Sequence, residues 1–272
     1  MNNTVKTTLY LTGLTILLLL IGELLGGMQG LIIAFIFAGI LNFGMYYYSD
    51  KIILKMHGAK QNHNTKINNM VSEIAKKAGI PKPKVYIIHQ NTLNAFATGR
   101  NPKHAAIALT PLIINTLNDD ELKAVIGHEL THIKNYDTLI STLSATIAGT
   151  ITLLTRIAFY TGTGRNNNNS TSKTIAWIIM LIFTPIIAII IRLAISRSRE
   201  FSADEGGAKL STPKSMISAL ETISQGPRLR KGMEGASHMY ITNPFAANNI
   251  TELFSTHPSL HKRVQNITRL DK

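Results

Sequence analysis

Apolar positions in this chain fall into four long blocks, with shorter-period segments between them. Leu9 to Leu25 is almost wholly apolar, and after Gly26-Gly27-Met28-Gln29-Gly30 a second block runs from Leu31 to about Tyr48. Runs of this kind suit a hydrocarbon layer of about 30 Å. A signal peptide competes for the first block, but no A-x-A site follows it and the second block comes at once, so residues 1–49 are expected to form a transmembrane hairpin. Gly22 and Gly26 add a GxxxG spacing that suggests helix packing. The third block, 139–160, is rich in Thr and Ser and contains Arg156, so a hairpin lying partly in the membrane competes with a full crossing. The fourth, 174–195, reads as a span, and residues 161–173 between them as a low-complexity outer loop.

Between the second and third blocks the period changes. Ile67, Met70, Val71, Ile74, Ala75 and Ala78 recur at helical spacing, with Gly79 as C-cap and Pro81 as stop. Val85 to Ile88 and Ala105 to Leu109 read as short buried strands, and Asn94 to Gly99 as an edge strand ending in a turn at Gly99 to Pro102. Asn118 followed by Glu121 predicts a capping box, opening a helix that buries Leu122, Val125, Ile126 and Ile133. Residues 196–272 are polar, helical in pattern and too short of apolar residues for a core of their own. They are expected to pack onto residues 50–138 as one catalytic unit, mainly helical α+β, interrupted by the membrane hairpin 139–195.

Composition supports membrane insertion, since 45% hydrophobic residues and a mean hydropathy of +0.12 are high for a soluble chain of 272 residues. The net charge of +13 raises nucleic acid as a partner, but Lys and Arg form no aromatic-interleaved stripe, which argues against it. Instead Lys51, Lys55, Lys60 and Lys66 follow the second block, Arg192 lies at the end of the fourth with Arg197 and Arg199 just after it, and the turn after the first block has neither Lys nor Arg. By the positive-inside rule both termini and the catalytic segments face the cytoplasm of a multi-pass protein in the cell membrane.

The chemistry lies in His128-Glu129-Leu130-Thr131-His132, an H-E-x-x-H sequence on the capped helix. Histidines four apart project from one helix face and can close on one metal ion, with Glu129 beside it as general base. Without cysteine, the third ligand must be His, Asp or Glu. Glu200 fits, with Asp204 one turn on to accept from the outer nitrogen of a ligating histidine; Glu205 and Glu221 compete on spacing alone. A tetrahedral oxyanion needs a donor, and His257, His261 and Arg263 are the candidates.

Nearly the whole chain resembles the HtpX-type membrane zinc metallopeptidases, related to the CAAX prenyl endopeptidases. The resemblance rests on the paired N-terminal spans, Asn94-Ala95-Phe96-Ala97-Thr98-Gly99, the H-E-x-x-H helix, Arg199-Glu200-Phe201-Ser202-Ala203-Asp204 and His257-Pro258. It implies a zincin-like (gluzincin) catalytic domain holding one zinc ion per chain. His128, His132 and Glu200 would bind the metal, Glu129 would be catalytic, Asp204 would support a ligand, and His257 would donate to the oxyanion or leaving group. Asn94, Ala95, Phe96, Ala97 and Thr98 would pair with an extended substrate. It also implies quality control under stress, cleaving misfolded or damaged membrane proteins and unfolded polypeptides on the cytoplasmic side. Self-association into a homo-oligomer is left open. CAAX-type processing is the competing activity, weakened because it normally needs a larger intramembrane chamber than four spans make. A catalytically silent scaffold could dispense with Glu129, which is present.

Overall fold

The computed structural model describes residues 3–141, 197–227 and 258–271. Helix α1 (Asn3–Met56) is broken at Gly26 (φ −147°) and Gly27 (φ 57°), where the chain doubles back. Its two arms touch: Asn42 Nδ2 donates to Thr15 Oγ1 at 2.7 Å and to the Leu11 carbonyl at 3.3 Å. Gly22 lies against Gly30 and Ala34 so closely that a Cβ there would collide with both, whereas Gly26 meets nothing. The GxxxG spacing is thus split between two tasks, with Gly22 permitting close packing and Gly26 the turn. Gly26–Tyr48 is long and apolar enough to cross a membrane, and Leu11–Leu20 is a shorter apolar helix. The expected hairpin 139–195, apart from its first residues 139–141, lies outside the described residues, as does the expected outer loop 161–173.

Four strands form one sheet in the order β1-β2-β4-β3: β1 (Lys60–Gln61), β2 (Lys84–Ile87), β3 (Ala95–Gly99) and β4 (Ala105–Leu109). β2 and β4 are parallel, and β1 and β3 add antiparallel at the two edges. Helix α2 (Thr65–Ala78) is capped by Asn64, whose side chain accepts from two backbone N–H groups, and ends on Gly79 with φ 72°. After β4 come α3 (Pro111–Thr116) and α4 (Asp119–Lys134), then α5 (Arg197–Leu210), α6 (Pro213–Ser224) and α7 (Leu260–Thr268).

β4 is buried on both faces, which is why its sequence is an unbroken apolar run rather than an alternation. Ile107 and Leu109 join Ile67, Val71 and Ile74 of α2, Val125, Ile126 and Leu130 of α4 and Leu220 of α6 in the main core. Ala106 and Ala108 face the other way, with Phe96 and Ile88, and are covered by Ile53 and Leu54 from the end of α1. The helix leaving the apolar hairpin therefore closes the outer face of the catalytic sheet.

Candidate metal centre and active site

Helix α4 starts on a complete capping box: Asn118 Oδ1 accepts from the N–H groups of Asp120 and Glu121, and Glu121 returns a carboxylate oxygen to the Asn118 N–H at 3.0 Å. Asp119, Asp120 and Glu121 sit at the positive end of its dipole. Helix α5 crosses it through glycines. A Cβ on Gly207 would stand 2.8 Å from the Ala124 carbonyl oxygen and 3.2 Å from the His128 nitrogen, and a Cβ on Gly206 would strike Thr131. This close approach brings Glu200 and Asp204 of α5 to the histidines of α4.

His128 Nε2 and His132 Nε2 lie 3.2 Å apart, and the Glu200 carboxylate is 3.8 Å from the first and 3.6 Å from the second. Among the described residues these three offer donor atoms within 4.8 Å of one another. The set fits zinc. Two ring nitrogens each about 2.0–2.1 Å from one tetrahedral ion would stand roughly 3.3–3.4 Å apart, near the spacing here. Both outer ring nitrogens also face carboxylates: His128 Nδ1 is 3.0 Å from Asp204 Oδ1, and His132 Nδ1 is 3.2 Å from Asp137 Oδ2. With Nδ1 protonated toward a carboxylate, each Nε2 presents its lone pair to the shared point.

Buried positive charge holds these carboxylates. Arg263, on α7, donates through Nε and Nη2 to both oxygens of Asp204, and Arg199 Nη1 stands 3.7 Å from Asp137 Oδ1. Burial alone would raise the Asp204 pKa, but Arg263 overrides it and holds the carboxyl below its ordinary range. Burial pushes His128 down. For His132 burial also pulls downward, yet the Asp137 hydrogen bond and the carboxylates of Glu200 and Glu129 outweigh it and bring the ring up to about 9. Glu129 is pushed up to about 7, first by burial and then by the Glu200 charge, while His132 and the Ala97 backbone N–H oppose the rise.

Glu205 and Glu221, the competing third ligands, are elsewhere: Glu205 accepts from Asn266 and pairs with Lys209, and Glu221 is exposed on α6. Arg263 is engaged with Asp204, and His261 is exposed. His257 lies outside the described residues. Ala95 to Thr98 are in β3 at the sheet edge, and the Ala97 N–H touches the Glu129 carboxyl. Asn94 precedes the strand, with its N–H and C=O both bound to Thr110. The role of Asp137 was not read from the sequence. Five residues after His132 it would be off the ligand face of a continuing helix, but Tyr136, at φ 60°, turns the chain and returns it to the ring.

Residues 61–271 match the family described as peptidase family M48. The chain is 45% identical to a protease HtpX homolog of Sulfurihydrogenibium sp. (strain YO3AOP1), covering 99% of this chain and 97% of the relative. It is 44% identical to protease HtpX of Legionella pneumophila subsp. pneumophila (strain Philadelphia 1), covering 97% and 98%. Among solved structures it resembles Ste24p of S. mikatae, with a TM-score of 0.53 at 16% identity. That likeness covers 97% of this chain but 64% of Ste24p, and it speaks for the fold alone.

Proposed function

Because the chain belongs to peptidase family M48 and is an HtpX-type metallopeptidase, we propose that it is a membrane-integral, zinc-dependent endopeptidase that cleaves misfolded or damaged membrane proteins on the cytoplasmic side. The observation that carries this reading is the convergence of His128, His132 and Glu200 beside a buried Glu129. His128, His132 and Glu200 would hold a zinc ion, whose Lewis acidity would bring the pKa of water to about 7.

Glu129 is buried on the same helix as the two histidines. Its carboxylate takes the proton from the attacking water and passes it to the leaving amine, while the Ala97 N–H holds the carboxyl in place. β3 is an edge strand of the sheet, and antiparallel pairing of an extended substrate along Ala95 to Thr98 would use outward backbone groups other than the Ala97 N–H, which Glu129 takes. Recognition through main-chain hydrogen bonds tolerates many sequences, as disposal of damaged proteins requires. The apolar stretch Gly26–Tyr48 supports residence in a membrane, and Lys51 and Lys55 after it support a cytoplasmic catalytic unit.

The test is Glu129→Gln in purified full-length protein. The variant should bind one zinc per chain like wild type and cut casein at least about a hundredfold more slowly. Equal cleavage by both proteins would overturn the assignment.

A further inference from the structure

A cavity of about 990 Å³ lies away from the metal ligands, between the far ends of the apolar hairpin and the catalytic unit. Among the described residues its cations are Arg100, Lys103 and Lys134, and none of those lining it is a carboxylate. Leu11, Tyr46 and Leu139 make an apolar side. Arg100 is fixed there, its guanidinium 4.9 Å over the Tyr47 ring and its Nη1 donating to the Tyr47 carbonyl at 3.2 Å. Lys103 and Lys134 are exposed and have no carboxylate partner among the described residues.

Three cations of one sign around a concave space repel one another, and an anion relieves that repulsion. The cavity also contains ends of both hairpin arms, Leu11 near the start of the first and Tyr46 near the end of the apolar stretch Gly26–Tyr48. Tyr46, Tyr47 and Tyr48 suit the level of lipid headgroups. A free phosphate would satisfy the cations and leave the apolar side unused. A phospholipid would use both.

We propose that this cavity binds the headgroup of an anionic membrane phospholipid, its phosphate among Arg100, Lys103 and Lys134 and its acyl chains along the hairpin. The inference rests on the membrane reading above. A bound lipid would join the hairpin to the loop after β3 and to the end of α4, which carries His128 and His132. It would therefore brace the metal-bearing helix against the bilayer.

The experiment uses the full chain in a non-ionic detergent, titrated calorimetrically with short-chain phosphatidylglycerol, short-chain phosphatidylcholine and inorganic phosphate. Wild type should bind phosphatidylglycerol at least about tenfold more tightly than phosphatidylcholine. Lys103→Gln/Lys134→Gln should lose that preference, whereas Lys60→Gln/Lys214→Gln, which removes as much charge outside the cavity, should keep it. Equal affinity for both lipids, equal weakening by both double variants, or displacement of the lipid by inorganic phosphate at equal concentration would overturn the proposal. Flotation with neutral vesicles separates the premise: a chain that floats but shows no preference refutes the lipid site alone, and one that stays in solution without detergent refutes both readings.

Discussion

Arg263 grips Asp204 with two parallel hydrogen bonds, 2.7 Å from Nε and 2.6 Å from Nη2, and Asp204 in turn meets His128 at 3.0 Å. A residue late in the sequence thus orients a proposed metal ligand of α4 through an intermediate on α5. Arg263→Lys keeps the charge but not the fork. It should weaken zinc binding about 10–100-fold in a chelator competition while the chain stays folded. Arg263→Ala leaves the buried Asp204 carboxylate without its counter-charge, facing only the His128 ring, and should lower stability by about 3–5 kcal/mol in denaturant titration. Wild-type zinc affinity in the Lys variant would show that Arg263 does not act through His128.

Asp137 should be nearly as important as Asp204, because each fixes one ligating ring. Asp137→Ala should cost about 10–100-fold in zinc affinity, and Glu200→Gln should cost more. Glu205→Gln and Glu221→Gln should bind zinc as wild type does, since neither carboxylate reaches the site. Zinc bound normally by Glu200→Gln but poorly by Glu205→Gln would reassign the third ligand.

The crossing of α4 and α5 leaves no room for a methyl group at Gly207, where the obstructing atoms include backbone of Ala124 and His128. Gly207→Ala should destabilise the fold by about 1–3 kcal/mol and reduce zinc affinity as well, because relief requires the helices to separate. Gly58→Ala is a useful contrast. That glycine has open space around it but φ 61°, so its cost is conformational and should leave zinc binding intact.

His57 predicts a pH effect remote from the metal. Its Nδ1 donates to the Ile53 carbonyl, Nε2 is buried without a partner, and burial holds its pKa below 6.5. A histidine depressed in the folded state contributes stability that is intact above its unfolded pKa and is lost as pH falls from about 6.5 toward the folded value. Melting temperature should therefore drop more steeply over this acid range in wild type than in His57→Gln. Parallel curves would remove His57 from the acid sensitivity.

Local elements were legible because each carries its signal within a few residues. The caps Gly79 and Asn118 with Glu121 bound α2 and α4 as expected, and β3 and β4 lie where β-forming runs meet turn residues. Helix spacing pointed to His128 and His132, and the resemblance to Glu200 where spacing alone left Glu205 and Glu221 open; the three converge in the fold. β1 was missed, since two polar edge residues have no period. Arg263 was one of three candidate oxyanion donors; its partner Asp204 is 59 residues away, and only the packing of α7 on α5 discloses the pair. Asp137 depends on one left-handed residue, Tyr136, whose conformation no spacing rule anticipates.

The direct run of α1 into the sheet gives the enzyme a gauge. Leu54, which packs on the sheet, is only about 9 Å along the helix from Tyr48, at 1.5 Å per residue. On the proposed crossing by Gly26–Tyr48, the protease unit would be mounted on a short post rather than a tether. Its cutting edge would stand at one height above the lipid, so loops too short to reach that height should be spared whatever their sequence, and tails that exceed it should be cut.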